Sequence, residues 1–212
     1  MPSPLGHAYG GIAAAWLLDL VPGHRSWRTP PPSASFFDRA GGTVTLVCAA
    51  LGAAPDLDLS FVTHRTVTHS VTAVAAVIII AAAVTGQVTR NAQSSTFKVR
   101  RDVRSTVGRV ALMCGAAWAS HLLLDWLGID NNPPRGLQIF WPFSHTWFIS
   151  GLDLFIQTER RRFFTVESVR TNLTAMSWET LILLPLVAGI WLVRVKALAR
   201  LSTELPRCDH PA

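Results

Sequence analysis

Histidine and aspartate side chains recur in this chain beside stretches that are otherwise apolar. Such groups near a lipid bilayer cost several kcal/mol unless they are paired or bind a metal, so they indicate a functional site. His121 and Asp125 are four residues apart, which places them on one helical face, about 6 Å from each other. One ion can bind both side chains, as in the paired histidines of zinc helices. The complete candidate set comprises His7, Asp56, Asp58, His64, His69, His121 and Asp125.

The ligand types in this set predict a divalent metal. Seven nitrogen and oxygen ligands suit one or two zinc, manganese or iron ions better than a cysteine-rich structural zinc site. Two ions about 3.5–4 Å apart stabilise the attacking and leaving oxygens of phosphoester hydrolysis. Asp58 or Glu179 would accept the proton of the attacking water. Arg65 offers a guanidinium to a phosphate oxygen or, alternatively, forms a salt bridge with one of the aspartates.

The composition indicates the kind of scaffold that must position these residues. The 212 residues suit one compact domain or a small membrane bundle. Half of them are apolar and 15% are charged, against about 25% charged in a typical soluble domain. This balance excludes a disordered chain, a coiled coil and a nucleic-acid-binding tail. We therefore expect the lipid bilayer as a partner and no nucleic acid, and we attribute the net charge of +6 to asymmetry across a membrane.

Five apolar runs predict an all-α integral membrane bundle of about five transmembrane helices. The longest run, residues 66–89, carries no Lys, Arg, Asp or Glu over 24 residues, and about 20 helical residues cross a bilayer. The other four runs are shorter or end in polar residues. They cover residues 5–21, 40–55, 110–124 and 180–193.

The distribution of basic residues predicts the orientation of this bundle. The segments after the first, third and fifth runs carry three, six and four of the 19 Lys and Arg residues. The positive-inside rule then places the N-terminus outside and the C-terminus in the cytoplasm. The arginines at 160–162 oppose this assignment, but they lie in a long segment, where the rule weakens. With this orientation, the ends of four spans bring the candidate ligands to one outer face.

Five motifs together resemble the YdjM-like family of bacterial membrane-bound, predicted metal-dependent hydrolases. They are PSPLGHAYGG at residues 2–11, PDLD at 55–58, HRTVTHS at 64–70, SHLLLDWL at 120–127 and WPFS at 141–144. The resemblance covers roughly residues 1–150 and implies an inner-membrane protein whose metal ligands are the seven residues named above. The HxxxD and PDxD elements are also similar to those of zinc-dependent phospholipase C, a helical enzyme with a metal cluster.

These observations predict a hydrolase of the inner membrane that acts on phosphoester bonds of a lipid or lipid-linked substrate. Residues 1–150 would form the membrane-embedded catalytic core. Residues 151–212 would form an aromatic-rich outer segment, the last span and a basic cytoplasmic tail. Two alternatives stay open. One is a non-enzymatic metal transporter, and the other is a structural or regulatory membrane protein with an inert metal or polar cluster.

Overall fold

The computed structural model describes residues 1–20, 35–60, 65–91, 97–159 and 164–204. Within these ranges the chain is helical and contains no β-strand, which confirms the all-α prediction. The six α-helices are α1 (Pro4–Asp19), α2 (Phe36–Arg39), α3 (Gly42–Ala53), α4 (Val71–Asn91), α5 (Phe97–Leu127) and α6 (Val166–Glu204). A 3-10 helix, Ala54–Ser60, continues α3.

The predicted number of membrane spans is wrong, because three helices in the described ranges, not five, are long and apolar enough to cross a bilayer. They are Val71–Asn91, Thr106–Leu127 and Val166–Lys196. The two runs predicted at 5–21 and 40–55 form α1 and α3, which have 16 and 12 residues. At 1.5 Å per residue these helices rise about 24 and 18 Å, which is less than the ~30 Å hydrocarbon core.

Hydroxyl side chains define where the helices that carry the candidate residues begin. The Ser3 side chain caps α1 by accepting a hydrogen bond from the Gly6 amide at 3.2 Å. The Ser70 hydroxyl similarly accepts from the Ala73 amide at 3.2 Å, at the start of α4. These starts place His7 in the first turn of α1 and His69 directly ahead of α4.

Two glycines allow α1 and α3 to cross with their backbones in contact. A Cβ atom on Gly52 would lie 2.4 Å from the carbonyl oxygen of His7, and one on Gly11 would lie 2.3 Å from the carbonyl oxygen of Cys48. At the other end of the pair, the Trp16 indole donates to the Ala40 carbonyl at 2.9 Å. The two helices therefore form an antiparallel hairpin that holds His7 against the end of α3.

Helix α5 is the central element of the bundle, since it packs against α1, α3 and α4. Small residues make this possible: a Cβ on Gly115 would lie 2.3 Å from the Ile78 side chain, and one on Gly10 would lie 2.7 Å from Leu124. Helix α6 also packs against α1. The start of α1, the end of α3, the start of α4 and the end of α5 therefore lie at the same end of the bundle.

An irregular segment, residues 128–158, follows α5 and covers this end of the bundle. The Val71 amide at the start of α4 donates to the Ile139 carbonyl at 2.8 Å. The Ile129 amide donates to the Phe155 carbonyl at 2.9 Å, which folds the segment back on itself. Helix α6 and residues 1–150 pack into one bundle. The functional division of the chain near residue 150 stays a prediction.

Candidate metal centre

Four of the predicted ligands converge into a buried group. They are Asp56, His69, His121 and Asp125, each of which offers one ligand atom within 4.8 Å of the others. Asp56 lies in the 3-10 helix, His69 precedes α4, and His121 and Asp125 lie in the last turns of α5. Both histidines are fully buried, and the two aspartates are 7% and 2% exposed. The group has the size and the donor atoms of a divalent metal site.

The Asp125 carboxylate lies close to the imidazole rings of His7, His69 and His121. Its Oδ2 lies 3.1 Å from the Nε2 of His121 and 3.4 Å from the Nε2 of His69. Its Oδ1 lies 3.3 Å from the Nε2 of His7. The Nε2 atoms of His69 and His121 are 3.1 Å apart. Three ring nitrogens therefore face one carboxylate in a space that is buried from the protein surface.

Buried polar atoms without hydrogen bonds indicate what this space can accept. Both carboxylate oxygens of Asp125 and both ring nitrogens of His7 are buried and have no hydrogen-bond partner. A buried polar group left unsatisfied costs about 1–3 kcal/mol. A divalent cation between the carboxylate and the imidazoles would satisfy the Asp125 oxygens and the Nε2 of His7, the nitrogen that faces them. The residues present therefore fit a zinc-, manganese- or iron-type ion.

The outer nitrogens of two histidines are held by partners that turn their Nε2 atoms toward the centre. The Nδ1 of His121 donates to the Gly52 carbonyl at 2.7 Å. The Nδ1 of His69 lies 2.9 Å from the Thr68 hydroxyl, which in turn donates to the Asp58 carboxylate. Such carbonyl and carboxylate partners are typical of histidines that bind metals, because they fix the tautomer and the ring orientation.

The electrostatics of the group favour a positive charge. Burial disfavours the charged form of His69, but the adjacent carboxylates of Asp125, Asp56 and Asp58 outweigh burial and raise the pKa of His69 to about 10. The carboxylates thus stabilise a cation at the position of this imidazole. A metal ion would supply that positive charge and leave the imidazole neutral, as ligation requires.

The structure places the remaining candidate ligands at different distances from the four-residue group. His7 is fully buried beside it, and its ring stacks on that of His121 with the centroids 3.7 Å apart. Asp58 lies behind His69, with its Oδ2 3.5 Å from the Nδ1 of His69. His64 lies outside the described residues. Six of the seven candidates are thus brought together, and direct ligation by Asp58 stays a prediction.

Arg65 and Glu179, two of the three predicted catalytic residues, are engaged in other contacts. The Arg65 guanidinium forms a salt bridge with Asp130, an aspartate outside the candidate set. One carboxylate oxygen of Glu179 accepts a hydrogen bond from the Ser3 amide at 2.8 Å, and the other accepts one from the Ser3 hydroxyl. The catalytic roles of both residues stay predictions.

Three contributing residues were not identified from the sequence. Thr68 is adjacent to His69 in HRTVTHS, and that position was the available signal for it. Gly52 contributes a backbone carbonyl, which no side-chain pattern reveals. Asp130 is 65 residues from its partner Arg65, and no local spacing connects the two.

One of three comparisons with known proteins identifies a family for this chain. Neither the curated proteins nor the solved structures include a match to this chain. The family model described as YdjM inner membrane protein matches residues 1–202, which extends beyond residue 150 and includes most of α6. The chain therefore belongs to the YdjM inner membrane protein family.

Proposed function

We propose that this protein is a membrane-bound, metal-dependent hydrolase that cleaves phosphoester bonds of a lipid or lipid-linked substrate. The observation that carries the proposal is the buried group of Asp56, His69, His121 and Asp125. Imidazole and carboxylate ligands without cysteine occur in hydrolytic zinc sites. The family and the three span-length helices support a location in the inner membrane, in contact with the bilayer.

A divalent ion bound at this group would polarise a phosphoester oxygen and lower the pKa of water. In the hydrolysis, a water oxygen forms a bond to phosphorus, the ester P–O bond breaks, and the leaving oxygen takes up a proton. Both carboxylate oxygens of Glu179 already accept hydrogen bonds from Ser3. Asp58 accepts one from Thr68 but lies beside the group, with its Oδ2 3.5 Å from the Nδ1 of His69, so we assign the proton of the water to Asp58.

The position of the group along the helices supports a lipid substrate. His69 lies two residues before α4, and Asp125 lies two residues before the end of α5. Both helices are long and apolar enough to cross the bilayer, so their ends belong near its surface. Lipid phosphoesters are concentrated at that level of a membrane.

A structural metal site is the second candidate function. It is favoured by the complete burial of His7, His69 and His121, since structural sites are closed to substrate. An ion in this position would join α1, the 3-10 helix, α4 and α5. Its removal would loosen the bundle rather than stop a reaction.

Metal analysis of the purified protein, together with a screen of phosphoester substrates, tests the proposal. We expect bound zinc, manganese or iron, and phosphoester hydrolysis that is lost on chelation and restored when the metal is returned. A protein that binds no divalent metal under metal-replete purification would refute the hydrolase. Bound metal with no hydrolysis, but with a lower melting temperature after chelation, would establish the structural alternative.

We also propose that the N-terminus is outside and the C-terminus is cytoplasmic. The basic residues support this orientation, and three spans, like five, place the two ends of a chain on opposite sides. Reporter fusions at residue 93, after α4, and at the C-terminus should both give a cytoplasmic signal. External signals from both fusions would reverse the orientation and move the metal centre to the inner face.

A further inference from the structure

We infer that the centre binds two divalent ions. The second ion would be held by the Nε2 of His7, the Oδ2 of Asp56 and the Oδ1 of Asp125. The inference rests on the metal centre of the proposed function and adds a second position to it. Its first support is the orientation of the imidazole rings. Its second is the way in which the two carboxylates divide their oxygens among the histidines.

The rings of His69 and His121 are arranged to bind one ion together. An imidazole binds an ion along the nitrogen lone pair, which lies in the plane of the ring. These two ring planes are inclined by 68°, and their Nε2 atoms are 3.1 Å apart. The two lone pairs can therefore converge on a single point at the ~2.0–2.1 Å of a metal–nitrogen bond.

The ring of His7 cannot join them at that point. It stacks on His121 with an interplanar angle of 20° and a centroid separation of 3.7 Å. Nearly parallel, stacked planes do not meet near their nitrogens, so an ion in the plane of His121 lies well out of the plane of His7. The Nε2 of His7 would therefore bind a second ion, next to the one between His69 and His121.

Asp125 presents a different oxygen to each of these positions. Its Oδ2 faces His121 at 3.1 Å and His69 at 3.4 Å. Its Oδ1 faces the Nε2 of His7 at 3.3 Å. A carboxylate with one oxygen toward each of two nitrogen sets has the arrangement of a bridge between two ions.

Asp56 divides its oxygens in the same way. Its Oδ1 lies 3.8 Å from the Nε2 of His121 and 3.9 Å from the Nε2 of His69. Its Oδ2 lies 3.9 Å from the Nε2 of His7. Asp56 and Asp125, which lie in separate elements, thus each direct one oxygen toward His7 and the other toward His69 and His121. The stacked rings of His7 and His121 are also separated by about the 3.5–4 Å that separates the ions of two-metal hydrolytic sites.

The two positions differ in how completely the described residues surround them. The first has four ligands, from His69, His121, Asp56 and Asp125, which complete a tetrahedral ion. The second has three, from His7 and the two bridging carboxylates, and three protein ligands leave a position open for substrate. The Nε2 of His7 is buried and lacks a hydrogen bond, as expected of a nitrogen whose partner is an ion.

Metal stoichiometry tests the inference. We expect two manganese or zinc ions per chain in the parent protein after metal depletion and reconstitution. The His7→Phe variant keeps a stacked ring but no ligand nitrogen, so it should retain one ion. The His145→Phe variant removes an exposed histidine from the irregular segment and should retain two.

Electron paramagnetic resonance gives a second readout. In the manganese-loaded parent protein this readout does not depend on the folding of a variant. Two ions bridged by carboxylates should give an exchange-coupled spectrum, and His7→Phe should convert it to the spectrum of isolated Mn²⁺. One ion per chain and an uncoupled spectrum in the parent would overturn the second position while the metal centre remains. No bound ion in the parent would refute the centre itself, and with it the proposed function.

Discussion

Replacing Asp125 with asparagine is expected to empty the metal centre while the helical bundle stays folded. Asp125 faces the imidazoles of His7, His69 and His121. Asparagine has the same size but lacks the negative charge that balances a divalent ion. Loss of an outer partner of a metal ligand costs about 10–100-fold in metal affinity or activity. Loss of this central carboxylate should exceed that range and abolish phosphoester hydrolysis.

The fold should tolerate the change, because the Asp125 oxygens make no hydrogen bond that asparagine would break. Metal content, membrane expression level and melting temperature of Asp125→Asn measured beside the parent would check this. Asp153→Asn is a matched control, since Asp153 is exposed and has a positive φ of 50° that asparagine also adopts. If Asp125→Asn keeps the parent's metal content and hydrolysis, Asp125 is not a ligand.

The Gly52→Ala substitution is expected to destabilise the protein and to weaken the centre at the same time. The added Cβ would lie 2.4 Å from the His7 carbonyl oxygen and 3.1 Å from the Gly11 Cα. Both are backbone atoms, so no side-chain rotation relieves the contact and α1 must move away from α3. Overpacking of this kind costs about 1–3 kcal/mol. The shift would also displace His7 and the carbonyl that orients His121.

The Gly86→Ala substitution is the matched control in α4. A Cβ at Gly86 meets no atom within 4 Å, and alanine is favoured over glycine within a helix by up to about 1 kcal/mol. Thermal unfolding in detergent, with metal content measured on the same samples, should show a lower melting temperature and less metal for Gly52→Ala only. Equal melting temperatures for the two variants would show that α1 and α3 do not depend on this close approach.

The local part of the site could be predicted from the sequence. The four-residue spacing of His121 and Asp125 placed them on one helical face, and their Nε2 and Oδ2 atoms are 3.1 Å apart. The apolar run at 66–89 likewise predicted α4, which spans Val71–Asn91. Both inferences use periodicity and composition within a single segment, which do not depend on the rest of the fold.

The remainder depends on contacts that local patterns do not encode. Hydropathy counts apolar residues but does not show where a helix ends, so it predicts membrane spans at α1 and α3. The engagement of Arg65 by Asp130 joins positions 65 residues apart. The orientation of His121 depends on a backbone carbonyl at Gly52, and any residue type supplies such a carbonyl. Three-dimensional packing decides each of these features.

The shortness of the hairpin formed by α1 and α3 has a consequence for the membrane around it. Its α1 arm rises about 24 Å, whereas the hydrocarbon core measures ~30 Å. The three span-length helices are long enough to cross that core, so the protein presents hydrophobic surfaces of two different heights to the bilayer. Lipids beside α1 must compress or tilt to cover it, at a cost of a fraction of a kcal/mol per Å of mismatch. We therefore expect the surrounding membrane to be thinnest beside the hairpin, the side of the bundle where His7 enters the centre.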